Sequence, residues 1–144
     1  MAAGAGDSVR PMIERVGVVG CGLMGSGIAE VCARAGCDVM VHEVDAVAAE
    51  RGRERLVNSL DRAVTANKLA AADRDAAVAR LGFTTDLGDL ADRDLVVEAV
   101  VENEDAKISV FRQLDKVIGN PEAILASNTS SIPIICLLYT SDAA

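Results

Sequence analysis

Residues 16 to 45 read VGVVGCGLMGSGIAEVCARAGCDVMVHEVD, and this stretch constrains the fold more than any other in the chain. An apolar run, Val16 to Val19, enters a glycine cluster at Gly20, Gly22, Gly25 and Gly27. Small residues at helical spacing follow from Ile28 to Ala35, Gly36 stops them, and a second apolar run ends in Glu43. The order is strand, tight glycine turn, helix, strand, acid. In that context each glycine has a task in holding a dinucleotide: Gly20 permits the sharp turn, Gly22 lets the backbone approach a pyrophosphate, and Gly25 lets helix and strand close up. The start of the helix offers unpaired N–H groups to the phosphates. Glu43 lies 18 residues beyond Gly25 and can accept hydrogen bonds from a ribose diol. No arginine adjoins Glu43 in sequence, so a 2′-phosphate would meet like charge there; NAD is expected to be preferred to NADP.

The remaining elements continue the alternation. Strands are predicted over Arg15 to Val19, Val39 to Glu43, Phe83 to Thr85, Leu95 to Val101 (interrupted by Glu98) and Ile124 to Ser127. Helices are predicted over Leu23 to Ala35, from Asp45 to about Lys68, over Ala71 to Leu81, and over Glu104 to Val117. Val47, Leu56, Leu60 and Val64 line one side of the long helix, and the pair of helices over about 45–81 reads as a hairpin standing off the domain. Alternating strands and helices predict an α/β, doubly wound parallel sheet. Phe83, Phe111 and Tyr139 are the only aromatics, so Val, Leu, Ile and Ala must build the core, as suits strands buried on both faces.

The 144 residues carry a net charge of −8 without a basic run, which argues against nucleic-acid binding. No apolar stretch approaches the ~20 residues needed to span a membrane. Residues 1–12 lack a signal-peptide pattern and are expected to form a disordered leader. Cys21, Cys32, Cys37 and Cys136 form no CxxC pair and have no histidine cluster beside them, so reduced thiols in a cytoplasmic protein are expected and no metal site is predicted.

Several polar residues stand where the pattern does not demand them. Glu98 and Glu102 follow a buried strand, where an acid either lines the ligand crevice or is a solvated loop residue; Glu102 is favoured for the crevice. Lys107 lies a little over one helical turn beyond it and would alone be an ordinary surface lysine. Ser127-Asn128-Thr129-Ser130-Ser131 after the last strand can orient a polar substrate or cap a helix. His42, the one histidine, lies beside the ribose acid and is expected to be structural.

Three segments, Gly20 to Ala29, Leu95 to Asn103 and Ala126 to Pro133, give the chain a resemblance to the NAD-binding domain of the L-3-hydroxyacyl-CoA dehydrogenases, of the 3-hydroxybutyryl-CoA type. The resemblance covers roughly 13–135 and implies a Rossmann-type domain there, with NAD as cofactor. It implies pyrophosphate binding by Gly20, Cys21, Gly22, Leu23, Met24 and Gly25, and ribose binding by Glu43. Glu102 and Lys107 would approach the nicotinamide end, and Ser130 would touch nicotinamide or the reacting oxygen of substrate. Ser59 matches a serine that meets coenzyme A in the family, but the family's accompanying lysine has no clear counterpart, with Ala66 in its place and Lys68 nearby. The family continues into a strand with a catalytic histidine in a His-Phe-Phe-Asn-Pro pattern, a glutamate that pairs with it, and a helical domain that forms a homodimer and completes the acyl-CoA pocket. Those parts are not found in this sequence, so no catalytic residue is assigned within it and the fragment itself is expected to be inactive. Cys136 to Ala144 match the translation of a transposase sequencing adapter and are expected to be foreign to the domain. A related 3-hydroxy acid or gulonate dehydrogenase and a non-catalytic NAD-binding module are the rival readings.

Overall fold

The structure is a computed structural model that describes residues 12–132; the expected foreign tail and all of the leader but Met12 lie outside the described residues. Strand β1 (Arg15–Val19) leads through the glycine turn into helix α1 (Leu23–Arg34), then β2 (Asp38–His42), α2 (Ala46–Thr65), α3 (Ala71–Ala79) and β3 (Leu81–Thr84). A 3-10 turn (Leu87–Leu90), β4 (Leu95–Glu98), α4 (Glu104–Val117) and β5 (Ile124–Ser127) complete the described chain. The strands form one parallel sheet in the order β3-β2-β1-β4-β5.

Alternation along each strand sorts the core into two layers. Val16, Val18, Val39 and Val41 face α1, α2 and α3, where Ala29, Ala33, Leu56, Leu60 and Ala77 are fully buried. Val19 and Val96 face the other way, against Leu90 of the 3-10 turn and Leu114 of α4. The helix after β1 therefore covers one side of the sheet and the helix after β4 covers the other. Between those neighbouring strands the direction of winding reverses, and the carboxyl ends of the two strands open into the crevice where such sheets bind ligands.

Helix α1 stops where its sequence provides a left-handed residue. Gly36 has φ 101°, the Cys37 N–H donates to the Cys32 carbonyl at 3.0 Å, and the Gly36 N–H donates to the Ala33 carbonyl at 3.2 Å. This pair of bonds satisfies carbonyls the helix end would otherwise leave open. The hairpin of α2 and α3 is present, with Asn67 at φ 55° in the turn. Leu56, Leu60 and Ala77 root it in the core against α1 and β2, so it lies along the domain rather than clear of it. Val47, expected on its apolar side, is 62% exposed; the buried stripe begins with Gly52 and Leu56.

Several boundaries shift by one to three residues from the sequence expectation, and two of the shifts have a visible cause. The apolar run Leu95 to Val101 is strand only as far as Glu98, because Ala99 and Val100 turn over the glycine loop of β1. The predicted helix Ala71 to Leu81 ends at Ala79 instead, and Leu81 and Gly82 belong to β3. A Cβ on Gly82 would sit 3.0 Å from the Met40 methyl group of β2, so the glycine makes room for that side chain.

Candidate functional site

The glycine loop is held by its neighbours. The Gly20 N–H donates to the His42 carbonyl at 2.9 Å, and the Ala99 N–H donates to the Val19 carbonyl at 2.8 Å. Gly20 has φ 94°, and a Cβ on it would fall 2.8 Å from the Ala99 carbonyl oxygen. A Cβ on Gly25 would fall 1.9 Å from the Gly20 carbonyl oxygen, so helix and loop touch backbone to backbone. Gly22 differs from both. It caps α1 without a side-chain hydrogen bond, and a Cβ there would meet nothing within 4 Å. The first-turn amides of Leu23, Met24 and Gly25 have no partner within the helix, by helix geometry. Leu23 and Met24 are 82% and 59% exposed. Open space in front of unpaired amides at a helix N-terminus fits a pyrophosphate.

Glu43, just past β2, lies against the glycine loop. One carboxylate oxygen accepts from the Cys21 N–H at 2.5 Å and the other from the Val44 N–H at 3.2 Å. The acid thus holds the glycine loop. Arg55 of α2 was not legible as a partner in sequence. Its Nη1 donates to the Cys21 carbonyl at 2.5 Å, so Glu43 and Arg55 grip opposite ends of one residue. No arginine adjoins Glu43 in sequence, but Arg55, twelve positions on, is brought to the same loop residue by α2. Gly52 makes this approach possible, since a Cβ on it would lie 2.8 Å from the Cys21 sulfur. Burial pushes the Cys21 thiol up to about 11, the Glu43 carboxylate adds to that, and the Arg55 cation opposes it.

The carboxyl ends of β4 and β5 form a second polar cluster. Register places Glu98 opposite Val19 and Ser127, with its side chain on the α4 face. There Lys107 donates to the Glu98 carboxylate at 2.6 Å, with both side chains wholly buried. The same carboxylate accepts from the Val100 N–H at 2.8 Å and the Ser127 hydroxyl at 2.6 Å. The Lys107 ammonium also reaches the Val100 carbonyl at 3.4 Å. Lys107, read from sequence beside Glu102, is therefore committed to Glu98, and its ammonium is not open to the crevice. Glu102 is exposed and accepts a hydrogen bond from the Thr129 hydroxyl, which in turn accepts from the Ile132 N–H at 3.1 Å. That hydroxyl holds the Glu102 carboxyl below its ordinary range; desolvation opposes it, and Ser131 and the charge of Lys107 add smaller downward contributions. Ser130 is exposed between these residues.

The remaining sequence candidates lie apart from this cluster. The Ser59 hydroxyl donates to Glu30 at 2.7 Å, tying α2 to α1, so the expected coenzyme A contact is occupied by a bond between helices. His42 is half-buried and lines a groove of about 700 Å³ with Val44, Leu87, Val110 and Gln113. Among the described residues no group of three His, Cys, Asp or Glu side chains could hold a metal ion, and no helix is long and apolar enough to cross a membrane. Cys21, Cys32 and Cys37 are free thiols.

The family described as 3-hydroxyacyl-CoA dehydrogenase, NAD binding domain, matches residues 15–142. The chain belongs to this family. The match includes the glycine loop, both acids and the serine-rich segment, and it continues past Cys136. A 3-hydroxybutyryl-CoA dehydrogenase of Mycobacterium tuberculosis is 58% identical over 123 residues, which are 85% of this chain and 43% of that protein. The crystal structure of M. tuberculosis FadB2 superposes with a TM-score of 0.88 at 56% identity, over 89% of this chain and 45% of that one. A 5-formyl-3-hydroxy-2-methylpyridine 4-carboxylate 5-dehydrogenase of Mesorhizobium japonicum is 40% identical over 85% of this chain and 39% of its own length. The chain thus spans less than half the length of these relatives.

Proposed function

We propose that this chain is the NAD-binding part of an enzyme that interconverts (3S)-3-hydroxyacyl-CoA and 3-oxoacyl-CoA, with 3-hydroxybutyryl-CoA as substrate, in fatty-acid or butanoate metabolism. The observation that carries the reading is the 58% identity to a 3-hydroxybutyryl-CoA dehydrogenase over 85% of this chain. When bound, NAD supplies the acceptor for the hydride that leaves the substrate carbon. The chain's own residues bind and orient it. The loop amides from Gly22 to Gly25 take the pyrophosphate, and Glu43 takes the adenine ribose. The groove beside His42 and Val44 has the size and apolar lining for the adenine ring. Glu102, Thr129 and Ser130 lie at the other end, where the nicotinamide and the substrate's polar group would meet; Ser130 is the residue for substrate contact. Ser59 remains the candidate for coenzyme A, provided its hydroxyl can leave Glu30.

The same reading makes the 144-residue chain inactive by itself. Oxidation of an alcohol needs a base for the hydroxyl proton. His42 is the only histidine, and it sits on the adenosine side beside Glu43. In the resemblance the family's base lies on the strand that follows the serine-rich segment, its paired glutamate comes after it, and the homodimer-forming helical domain follows. Free thiols at Cys21, Cys32 and Cys37 accord with a cytoplasmic enzyme.

The relative that acts on a pyridine carboxylate supports a second reading, in which the same cofactor domain serves a different alcohol. Expression of the uninterrupted gene and assay of NADH formation with (S)-3-hydroxybutyryl-CoA decides between them. Turnover with the acyl-CoA is expected. Turnover with a free hydroxy acid or a pyridine alcohol, and none with the acyl-CoA, would favour the rival.

A further inference from the structure

We propose that Arg55 is a latent receptor for a 2′-phosphate, and that the Glu43 charge alone keeps the site selective for NAD. The inference rests on the reading of the glycine loop as a dinucleotide site and extends it to the choice of cofactor. Glu43 and Arg55 hold the N–H and the carbonyl of Cys21, so both side chains border the loop at its adenosine end. Among the described residues Arg55 forms no ion pair, and only its Nη1 makes a hydrogen bond. A guanidinium presents donors in a planar fork suited to phosphate, so Nε and Nη2 remain for an anion after the bond to Cys21 is made.

The ribose 2′-position separates the two cofactors. A hydroxyl there donates to a carboxylate, whereas a phosphate is repelled by a carboxylate and bound by an arginine. This site contains one group of each kind on the same loop residue. With Glu43 ionised the carboxylate governs, and NAD is favoured. Glu43→Gln removes the charge but keeps an oxygen that can still accept from the Cys21 N–H, so the loop keeps its support. The arginine then faces the 2′-phosphate without a competing anion. Gly52 fixes α2 close to the loop, which means that Arg55 needs no rearrangement of the backbone to reach this position.

The test is fluorescence titration of the 144-residue chain with NADH and NADPH, for wild type, Glu43→Gln, Arg55→Met and the double variant, with circular dichroism to verify folding. Glu43→Ser replaces Glu43→Gln if the latter does not fold. Wild type is expected to bind NADH and to bind NADPH far more weakly. Glu43→Gln is expected to tighten NADPH by about tenfold or more, the worth of one charge-assisted phosphate contact. Adding Arg55→Met should abolish that gain, read as the ratio of NADPH to NADH affinity in the double variant against the same ratio in Glu43→Gln. No gain for NADPH in Glu43→Gln, or a gain that survives Arg55→Met, overturns the role of Arg55 while NADH binding still upholds the dinucleotide site. Failure of every folded variant to bind NADH overturns the site and this inference with it.

Discussion

The buried pair of Glu98 and Lys107 yields a prediction whose sign, and not only its size, is set by the geometry. The Glu98 carboxylate has three donors: Lys107 at 2.6 Å, the Val100 N–H at 2.8 Å and the Ser127 hydroxyl at 2.6 Å. The Lys107 ammonium has Glu98 and one carbonyl at 3.4 Å. Removing one member of a buried pair costs about 3–5 kcal/mol, because it strands the other. Lys107→Met leaves the carboxylate two good donors and belongs near the lower end, at about 3 kcal/mol. Glu98→Leu strands an ammonium, a hydroxyl and a backbone N–H together and belongs near the upper end, at about 5 kcal/mol. Against a total stability of ~5–15 kcal/mol either loss is large. The decisive variant is the double one. Glu98→Leu with Lys107→Met removes the stranded charge, so it is expected to be more stable than Glu98→Leu alone, and less destabilised than the sum of the single changes by at least ~2 kcal/mol. Urea unfolding followed by circular dichroism reads this directly, since a slope of ~1–3 kcal/mol per molar turns such differences into midpoint shifts of about 1 M or more. If adding Lys107→Met to Glu98→Leu lowers the midpoint further, the two side chains are not coupled as the structure has them, and the reasoning fails.

Other outcomes follow from the loop and its surroundings. Gly25→Ala would drive a Cβ to 1.9 Å from the Gly20 carbonyl oxygen, a clash of backbone with backbone that no rotamer relieves. It is expected to cost about 3 kcal/mol or more and to abolish NADH binding, as chemical unfolding and titration would record. Thr129→Val removes the leading cause of the lowered Glu102 pKa, so that pKa should rise toward its ordinary value in an NMR titration. Because the folded pKa is depressed, the Thr129 contribution is present above the unfolded-state pKa of Glu102 and disappears as pH falls through the folded value; an unchanged titration midpoint in the variant would refute the assignment. Cys21, with a thiol raised to about 11 chiefly by burial, should resist alkylation at neutral pH in the folded chain and react on unfolding. Mass spectrometry after a timed iodoacetamide pulse checks this, and rapid modification of native Cys21 would contradict it.

The sequence made the winding of the sheet legible because the two glycine-marked turns and the alternation of apolar runs with amphipathic helices are local signals. Where local signal and local cause part company, boundaries slipped. Val100 and Val101 are as apolar as the strand before them, yet the sheet ends at Glu98 because the chain must turn over Gly20. Gly82 carries the usual mark of a helix stop, but its reason is Met40 on the next strand, which no local pattern announces. The surroundings of Cys21 were half readable. Glu43 follows from its spacing after the loop, whereas Arg55 depends on α2 lying against Cys21, and the only sequence trace of that approach is a glycine, Gly52, in mid-helix. At the other end, Lys107 stands near four acids in sequence, Glu98, Glu102, Glu104 and Asp105. Only the strand register, which turns Glu98 toward α4, determines which of them it meets.

Gly22 offers the most direct test of the central claim, that the open space before α1 is where the cofactor's pyrophosphate lies. A Cβ there meets nothing within 4 Å in the folded chain, and the backbone is extended with φ −72°. Gly22→Ala should therefore leave the unfolding curve within ~0.5 kcal/mol of wild type. The same methyl group would occupy the space in front of the loop amides, so NADH affinity should fall by about tenfold or more, the cost of losing at least one charge-assisted bond to phosphate. Measured side by side, unchanged stability with lost NADH binding is the predicted result. Unchanged NADH affinity in the folded variant would contradict the account, because the cofactor would then be bound somewhere other than this loop.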